Sequence, residues 1–276
     1  MTRVCFGFDD AVVCVESADP EVIDLVRRLF PVYEMHRESG PPPDFGIRRT
    51  SDGRFELTGE EMPDHLVSLP DALSALDYAI ARRLLRERAD VVQLHAAGAE
   101  VDGQALLIVG PSGAGKSNLA LAMHRRDHRL LGDDLILIDT EGRAHAFARL
   151  VKVETERAEA FGFDPEGTLG RDEGNPEVWV DPRLGPGWSA SPVPVGMLVF
   201  AHRRPGGGIQ VEGCRESRAL ADLMSQVVGT GLQGALALDV LLAVTSRADR
   251  VRLVFDDAEE AAAQLEERLR GNGAAP

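Results

Sequence analysis

Residues 110–117, GPSGAGKS, satisfy the pattern GxxxxGK[ST] in full, directly after the apolar run ALLIV and directly before a helical pattern with Leu119, Ala122 and Met123 on one face. This strand–loop–helix setting is the one in which the pattern cradles phosphate. Gly110, Gly113 and Gly115 permit the backbone angles that aim successive amides at phosphate oxygens, and the helix N-terminus adds partial positive charge. Pro111, Ser112, Ala114 and Asn118 complete the stretch that would line a nucleotide. Lys116 suits the terminal phosphates and Ser117 suits Mg²⁺.

Asp133 and Asp134 follow after one short helical stretch, at the head of the apolar run LILI. Acids in turns are common on surfaces, so the pair alone would mean little. Placed at a strand mouth so soon after a phosphate loop, the two suit divided roles, one holding metal and one taking a proton. His95 joins them by register. A hairpin turn at Asp102–Gly103 pairs Val101 with Gln104, and counting outward sets His95 opposite Gly110. There an imidazole lies beside a transferred phosphate or a catalytic aspartate, although a single histidine is more commonly just partly buried.

The elements that must hold these groups follow from periodicity and punctuation. Residues 3–15 read as two strands, and residues 20–30 as a helix with Asp19 as N-cap, Pro20 at its first position and Val22, Ile23, Val26, Leu29 and Phe30 on one face. ESGPPPDF is a breaker, and residues 45–59 read as a hairpin turning at Asp52–Gly53. Ser68 and Asp71 resemble a capping box for a helix carrying Leu73, Leu76, Ile80 and Leu84 through about residue 88. Further strands are expected at 148–154, 177–181, 195–201 and 251–255, and helices at 215–228, 234–246 and 257–270. The apolar faces of the first and last of these helices suit oligomerisation or burial within one chain equally well. Residues 162–192, dense in Gly, Pro and charge, read as loop, either a mobile substrate-facing element or a passive excursion.

Composition sets the outer bounds. With 276 residues and 44% hydrophobic content, the chain is long enough for a sizeable core or a core with an appended unit. A net charge of -15 opposes broad attraction to nucleic acid or to an anionic membrane surface. No apolar run is long enough to span a bilayer and the N-terminus lacks signal-peptide character, so a cytoplasmic protein is expected. Cys5, Cys14 and Cys214 include no CxxC pair and are expected as reduced, buried thiols.

The order of hairpin, phosphate loop, short helix and GDD strand resembles the catalytic domain of the HPr serine kinase/phosphorylase family, carried by LHAAGAEVDGQALLIVG, GPSGAGKS and RDHRLLGDD over about residues 91–139. The resemblance implies a fold related to phosphoenolpyruvate carboxykinase. The expected fold class is therefore α/β: an HPr-kinase-like P-loop catalytic domain with a mixed sheet over residues 69–276, joined by the helix at about 69–88 to a small N-terminal α/β domain over residues 1–68.

The resemblance also implies Lys116 and Ser117 on ATP and Mg²⁺, Asp133 as base on an acceptor hydroxyl, Asp134 supporting metal or water, and His95 beside that aspartate. The chain departs from the family at Asn118, where glutamate is usual, and in lacking the family's glycine-rich signature beyond the second strand. The acid expected in that region is Glu154 or Glu156, or is missing. Transfer also needs cationic charge beyond Lys116, for which Arg149, Lys152, Arg203 and Arg204 are candidates, each more often a solvated surface charge. The expected activity is transfer of the γ-phosphoryl group of ATP to a hydroxyl, serine above all, of a protein, peptide or small molecule. A non-catalytic nucleotide-binding regulator is the alternative, and carboxykinase-like chemistry a third. Homo-oligomerisation, as in the family, is an expectation by resemblance only.

Overall fold

A computed structural model describes residues 1–35, 42–86, 88–163, 168–169 and 177–273. The first unit is a five-stranded sheet of β1 (Thr2–Phe8), β2 (Ala11–Ser17), β3 (Glu34–Met35), β4 (Phe45–Arg49) and β5 (Phe55–Gly59), in the order β3-β1-β2-β4-β5. Helix α1 (Pro20–Leu29) packs on it through Val22, Ile23, Val26 and Leu29 and is capped as expected, the Asp19 carboxylate accepting from the Glu21 amide. Helix α2 (Leu69–Leu85) starts at Ser68, whose hydroxyl accepts from the Asp71 amide. Leu73, Leu76, Ile80 and Leu84 bury its face in the same core.

The second sheet has ten strands: β6 (Val91–Leu94), β7 (Ala97–Val101), β8 (Gln104–Val109), β9 (Arg129–Gly132), β10 (Ile136–Asp139), β11 (Arg143–Ala146), β14 (Val193–Arg203), β15 (Gln210–Gly213), β16 (Val227–Thr230) and β17 (Asp249–Phe255). A separate two-stranded sheet joins β12 (Val151–Glu154) to β13 (Glu177–Val180). The intervening helices are α3 (Lys116–Arg125), α4 (Thr155–Ala160), α5 (Glu216–Met224), α6 (Gly234–Arg247) and α7 (Ala258–Gly273). The large sheet is mixed, with β8 and β17 both parallel to β14 and β7 antiparallel to β8. The protein is thus a mixed α/β fold.

Period-two alternation along β8 places the two helical layers. Leu106 and Ile108 face the core shared with α3 and α7, while Ala105, Leu107 and Val109 face the core shared with α5 and α6. The apolar faces of α5 and α7 are therefore used inside the chain: Ala219 and Leu223, and Ala261, Ala262, Leu265 and Leu269, are all buried. Among the described residues, no helix is long and apolar enough to cross a membrane.

Several sequence expectations are corrected. The helix expected at 215–228 stops at Met224, and Val227–Thr230 pairs with β6 as an edge strand. The strand expected at 148–154 starts only at Val151, and a short helix follows it. Strand β9, which was not anticipated, stands between α3 and the aspartate pair and hydrogen-bonds to β7. Cys5 and Cys14 face each other across β1 and β2 and are joined as a disulfide, contrary to the expectation of reduced thiols, whereas Cys214 is free and buried. Residues 38–41 of the breaker at 38–45, and residues 164–167 and 170–176 of the loop expected at 162–192, lie outside the described residues.

Candidate functional site

The hairpin that sets the site has the expected register. Val101 pairs with Gln104 around Asp102 and Gly103, both at positive φ (49° and 78°), as a tight primed turn requires. The ladder runs out at Ala97 opposite Ile108. At His95–Ala96 the chain changes partners, for Leu94 pairs instead with Ile136 of β10 and with Val227 of β16, and the His95 amide donates to the Gln226 carbonyl at 2.7 Å. His95 is thus not in the ladder with Gly110, but it stands at the break above the 110–117 loop.

The loop leaves β8 at its C-terminal end and enters α3. Gly113 and Gly115 are left-handed (φ 78° and 87°). The amides of Gly113, Gly115, Lys116 and Ser117 donate to no backbone acceptor among the described residues, which leaves several donors at the start of a helix, where such groups commonly hold anions. A Cβ on Gly115 would lie 2.7 Å from Phe255 Cζ and 3.4 Å from Arg203 Cβ, so the loop is seated on the ends of β14 and β17 with no room beneath it. Gly115→Ala is expected to cost about 1–2 kcal/mol of backbone strain and to weaken nucleotide binding at least about tenfold by displacing the amides; calorimetric titration beside a thermal melt separates the two effects.

The side chains above the loop form one connected chain. The Lys116 ammonium donates to the Gly110 carbonyl at 2.9 Å and the Pro111 carbonyl at 3.3 Å, and meets His95 Nε2 at 2.9 Å. His95 Nδ1 is 2.9 Å from Asp134 Oδ1. Because an ammonium can only donate, Nε2 is the acceptor, and the ring proton sits on Nδ1 facing the carboxylate. The other oxygen, Asp134 Oδ2, accepts from Arg149 Nη2 at 2.7 Å, and Arg149 Nη1 donates to Asp77 Oδ2 at 2.7 Å.

Two adjacent carboxylates consequently behave in opposite ways. Asp134, half exposed and hydrogen-bonded by His95 with Arg149 beside it, is held down at about 2. Asp133 is buried, and its removal from water, reinforced by the Asp134 and Asp77 charges against the pull of Arg149, pushes it up to about 7. A carboxylate that titrates near neutrality beside one that stays ionised is the pattern of a divided acid–base and electrostatic site. Burial pushes the Lys116 amine down, while Asp134 and Asp133 oppose the shift.

These groups border a cleft of about 640 Å³ that also takes in residues 112–118 of the loop and helix start, Lys152, Glu154, Arg157, Glu177 and Arg203. All the sequence-derived candidates at 112–118, with His95, Asp133 and Asp134, meet there. Of the two acids considered beyond the second strand, Glu154 lines the cleft; Glu156 is not among its lining residues. Of the four cations, Lys152 and Arg203 line it and Arg204 does not. Arg149 corrects the expectation of a solvated surface charge, since its side chain is 10% exposed and sits between two acids. Asp77 was missed altogether. Its signal is a carboxylate one turn from both Leu73 and Ile80 on the apolar side of α2.

Amides without backbone acceptors, an ammonium and a hydroxyl are donors of the kind that could hold a phosphate chain. Among the described residues, no cluster of three or more His, Cys, Asp or Glu side chains is placed to hold a metal alone. Magnesium in a nucleotide site needs only one or two protein oxygens, the rest coming from phosphate and water; the Ser117 hydroxyl and Asp134, whose oxygens already meet His95 and Arg149, are the ones that could hold it.

Comparison with known proteins falls on this same region. Residues 86–160 match the HPr Serine kinase C-terminal domain, so the resemblance read from the motifs holds over that segment. HPr kinase/phosphorylase of Mycoplasmopsis pulmonis is 36% identical over 74 residues, 27% of this chain and 24% of the relative. That of Lachnoclostridium phytofermentans is 42% identical over 59 residues, 21% and 19% of the two chains. That of Treponema pallidum is 43% identical over 65 residues, 24% and 20%. The chain thus spans no more than about a quarter of the length of these curated relatives. Among solved structures, the Hpr(Ser) kinase/phosphatase from Coxiella burnetii aligns over 65% of this chain and 95% of its own at 15% identity, with a TM-score of 0.31. A likeness that slight leaves the fold to be read from the strands themselves.

Proposed function

We propose that this chain is an ATP- and Mg²⁺-dependent kinase that transfers the γ-phosphoryl group to a hydroxyl, serine above all, of a protein, peptide or small molecule. The observation that carries the reading is the meeting, in one cleft, of the buried Asp133 carboxyl and Asp134 with Lys116 and residues 112–118 of the loop and helix start, an arrangement in which burial also raises Asp133 to about 7. The 110–117 segment acts as a P-loop. Its free amides and Lys116 bind and orient the phosphates, and the Lys116 charge offsets the charge that develops as the phosphoryl group moves. Asp133 in its ionised form accepts the proton of the attacking hydroxyl, and burial keeps competing water from that oxygen. His95, fixed between Lys116 and Asp134, sets their spacing. Ser117 and Asp134 would hold Mg²⁺, which supplies charge neutralisation on the phosphates.

The fold reading that goes with this function is a catalytic unit of the phosphoenolpyruvate-carboxykinase-like type over residues 69–276, with residues 1–68 as a smaller domain. The segment match to HPr serine kinases supports kinase chemistry; Asn118 and the missing glycine-rich signature leave HPr itself as one acceptor among several to be tried.

The test is incubation of purified protein with ATP, Mg²⁺ and separate acceptors, namely HPr, serine-bearing peptides encoded beside the gene, and small alcohols, read by mass spectrometry. Addition of one phosphate to an acceptor, lost with Asp133→Asn, is the expected result. Tight ATP binding with no transfer to any partner, unaltered by that substitution, would instead identify a nucleotide-binding regulator.

A further inference from the structure

Arg149 owes its position to the amino-terminal unit. The Ala148 amide, one residue before it, donates to the Tyr33 hydroxyl at 2.9 Å, and the Leu150 amide, one residue after it, donates to the Leu29 carbonyl at 3.1 Å. The preceding side chain, Phe147, is fully buried among Phe8, Phe30 and Tyr33, stacking on the last at 5.5 Å between ring centroids. Residues 147–150 are thus bound on both sides of Arg149 to β1, α1 and the turn after it. The guanidinium is then gripped by Asp77 of α2, whose own face lies in the same core. A buried ion pair adds little net stability, because desolvation offsets its attraction. Holding a buried arginine at the wall of a cleft by so many fixed contacts therefore points to a task in the cleft.

We infer that the amino-terminal unit is part of the catalytic apparatus, with Tyr33 and Asp77 as positioning residues that present Arg149 to Asp134. One nitrogen of Arg149 engages Asp134 Oδ2, which leaves Oδ1 for His95 and so fixes the ring that meets Lys116. The signal thus passes from a tyrosine in the first unit, through one arginine, to the lysine of the phosphate loop. The functional part of this inference rests on the kinase reading, whereas the placement of Arg149 does not.

A double-mutant cycle in the full chain tests it. ATP turnover, to an acceptor or to water, is measured for Tyr33→Phe, Arg149→Gln and the double variant, each first shown to unfold cooperatively in urea. Tyr33→Phe is expected to lower kcat about fivefold, the worth of one hydrogen bond, with KM for ATP within twofold. In the Arg149→Gln background it should change kcat by less than a factor of two. Losses that multiply would overturn the inference, since a merely structural tyrosine acts alike in both backgrounds. Exchange of the guanidinium protons in arginine-labelled protein, assigned by their absence in Arg149→Gln, gives an answer independent of activity. Acceleration of at least about tenfold in Tyr33→Phe is expected, and unchanged exchange would overturn the inference. If exchange accelerates while the wild-type chain turns over no ATP with any acceptor, the positioning stands and the kinase reading fails.

Discussion

Asp133→Asn is expected to lower phosphoryl transfer by a factor of about 10² to 10⁴, the range for loss of a positioned proton acceptor, with nucleotide affinity changed only a few-fold. The amide keeps the size of the side chain and removes its basicity, so the loss should fall on kcat. Wild-type turnover should rise as pH passes through about 7, where Asp133 ionises, and then level off.

Stability should move the other way. The folded chain holds Asp133 at about 7 against an ordinary 3.8, so it favours the protonated form. The stability this confers is complete below about pH 4 and is lost as pH rises through 7. Asparagine never carries that charge. Asp133→Asn should therefore match the wild type near pH 4 and exceed it at pH 8, by at most about 4 kcal/mol if about three pH units are at stake. Melts at the two pH values check this, and equal melting at pH 8 would mean that Asp133 is not held protonated. A substitution that stabilises a protein while silencing it is the mark of a side chain kept for its chemistry.

Lys116→Met is the second variant with a large expected effect. The ammonium faces the Gly110 and Pro111 carbonyls and His95, and a nucleotide must draw it onto its terminal phosphates. Methionine fills the volume without charge or donor. A charge-assisted hydrogen bond contributes about 1.5–3 kcal/mol, so nucleotide affinity should fall between about 10- and 100-fold. The rise in Tm that saturating nucleotide gives the wild type should shrink to match. Retention of that rise would show that the loop amides bind phosphate unaided and that Lys116 serves only His95.

The parts of the site legible in sequence are those whose geometry is local. The GxxxxGK[ST] pattern, the DG turn and the acidic pair each declare themselves within a few residues, and counting along the hairpin drew notice to His95, which meets Lys116 and Asp134 by another route. The count itself does not hold, since the ladder ends at Ala97 and Ile108 and His95 is not paired with Gly110; what places His95 beside Lys116 is the change of partners at His95–Ala96, where the His95 amide turns to the Gln226 carbonyl. Arg149, Asp77 and Tyr33 were not legible as a group. They stand 72 and 116 positions apart in pairs, on three elements, and only packing of the amino-terminal core joins them.

The errors in the fold are of the same kind. Val227 and Val228 read as the tail of a helix because Leu220, Leu223 and Val227 keep helical spacing, until pairing with β6 decides otherwise. RLLG, between α3 and the aspartates, is too short to announce itself as a strand without β7 beside it. Cys5 and Cys14 are too far apart in sequence to suggest pairing, yet a two-residue turn lays them face to face.

The tight turn at Asp102–Gly103 also determines which changes of chain length the site can absorb. Both residues there have positive φ, and the ladder on either side is regular as far as Ala97 and Ile108. One residue added between positions 97 and 109 would advance one strand by about 3.3 Å and turn its side chains to the opposite face. His95 would then be carried past Lys116, and no change of residue type elsewhere would bring it back. Across this stretch drift in sequence must preserve a length as well as a pattern: the buried positions stay small or apolar and the turn keeps residues that tolerate positive φ, but no choice among them makes up for a residue gained or lost between His95 and Gly110.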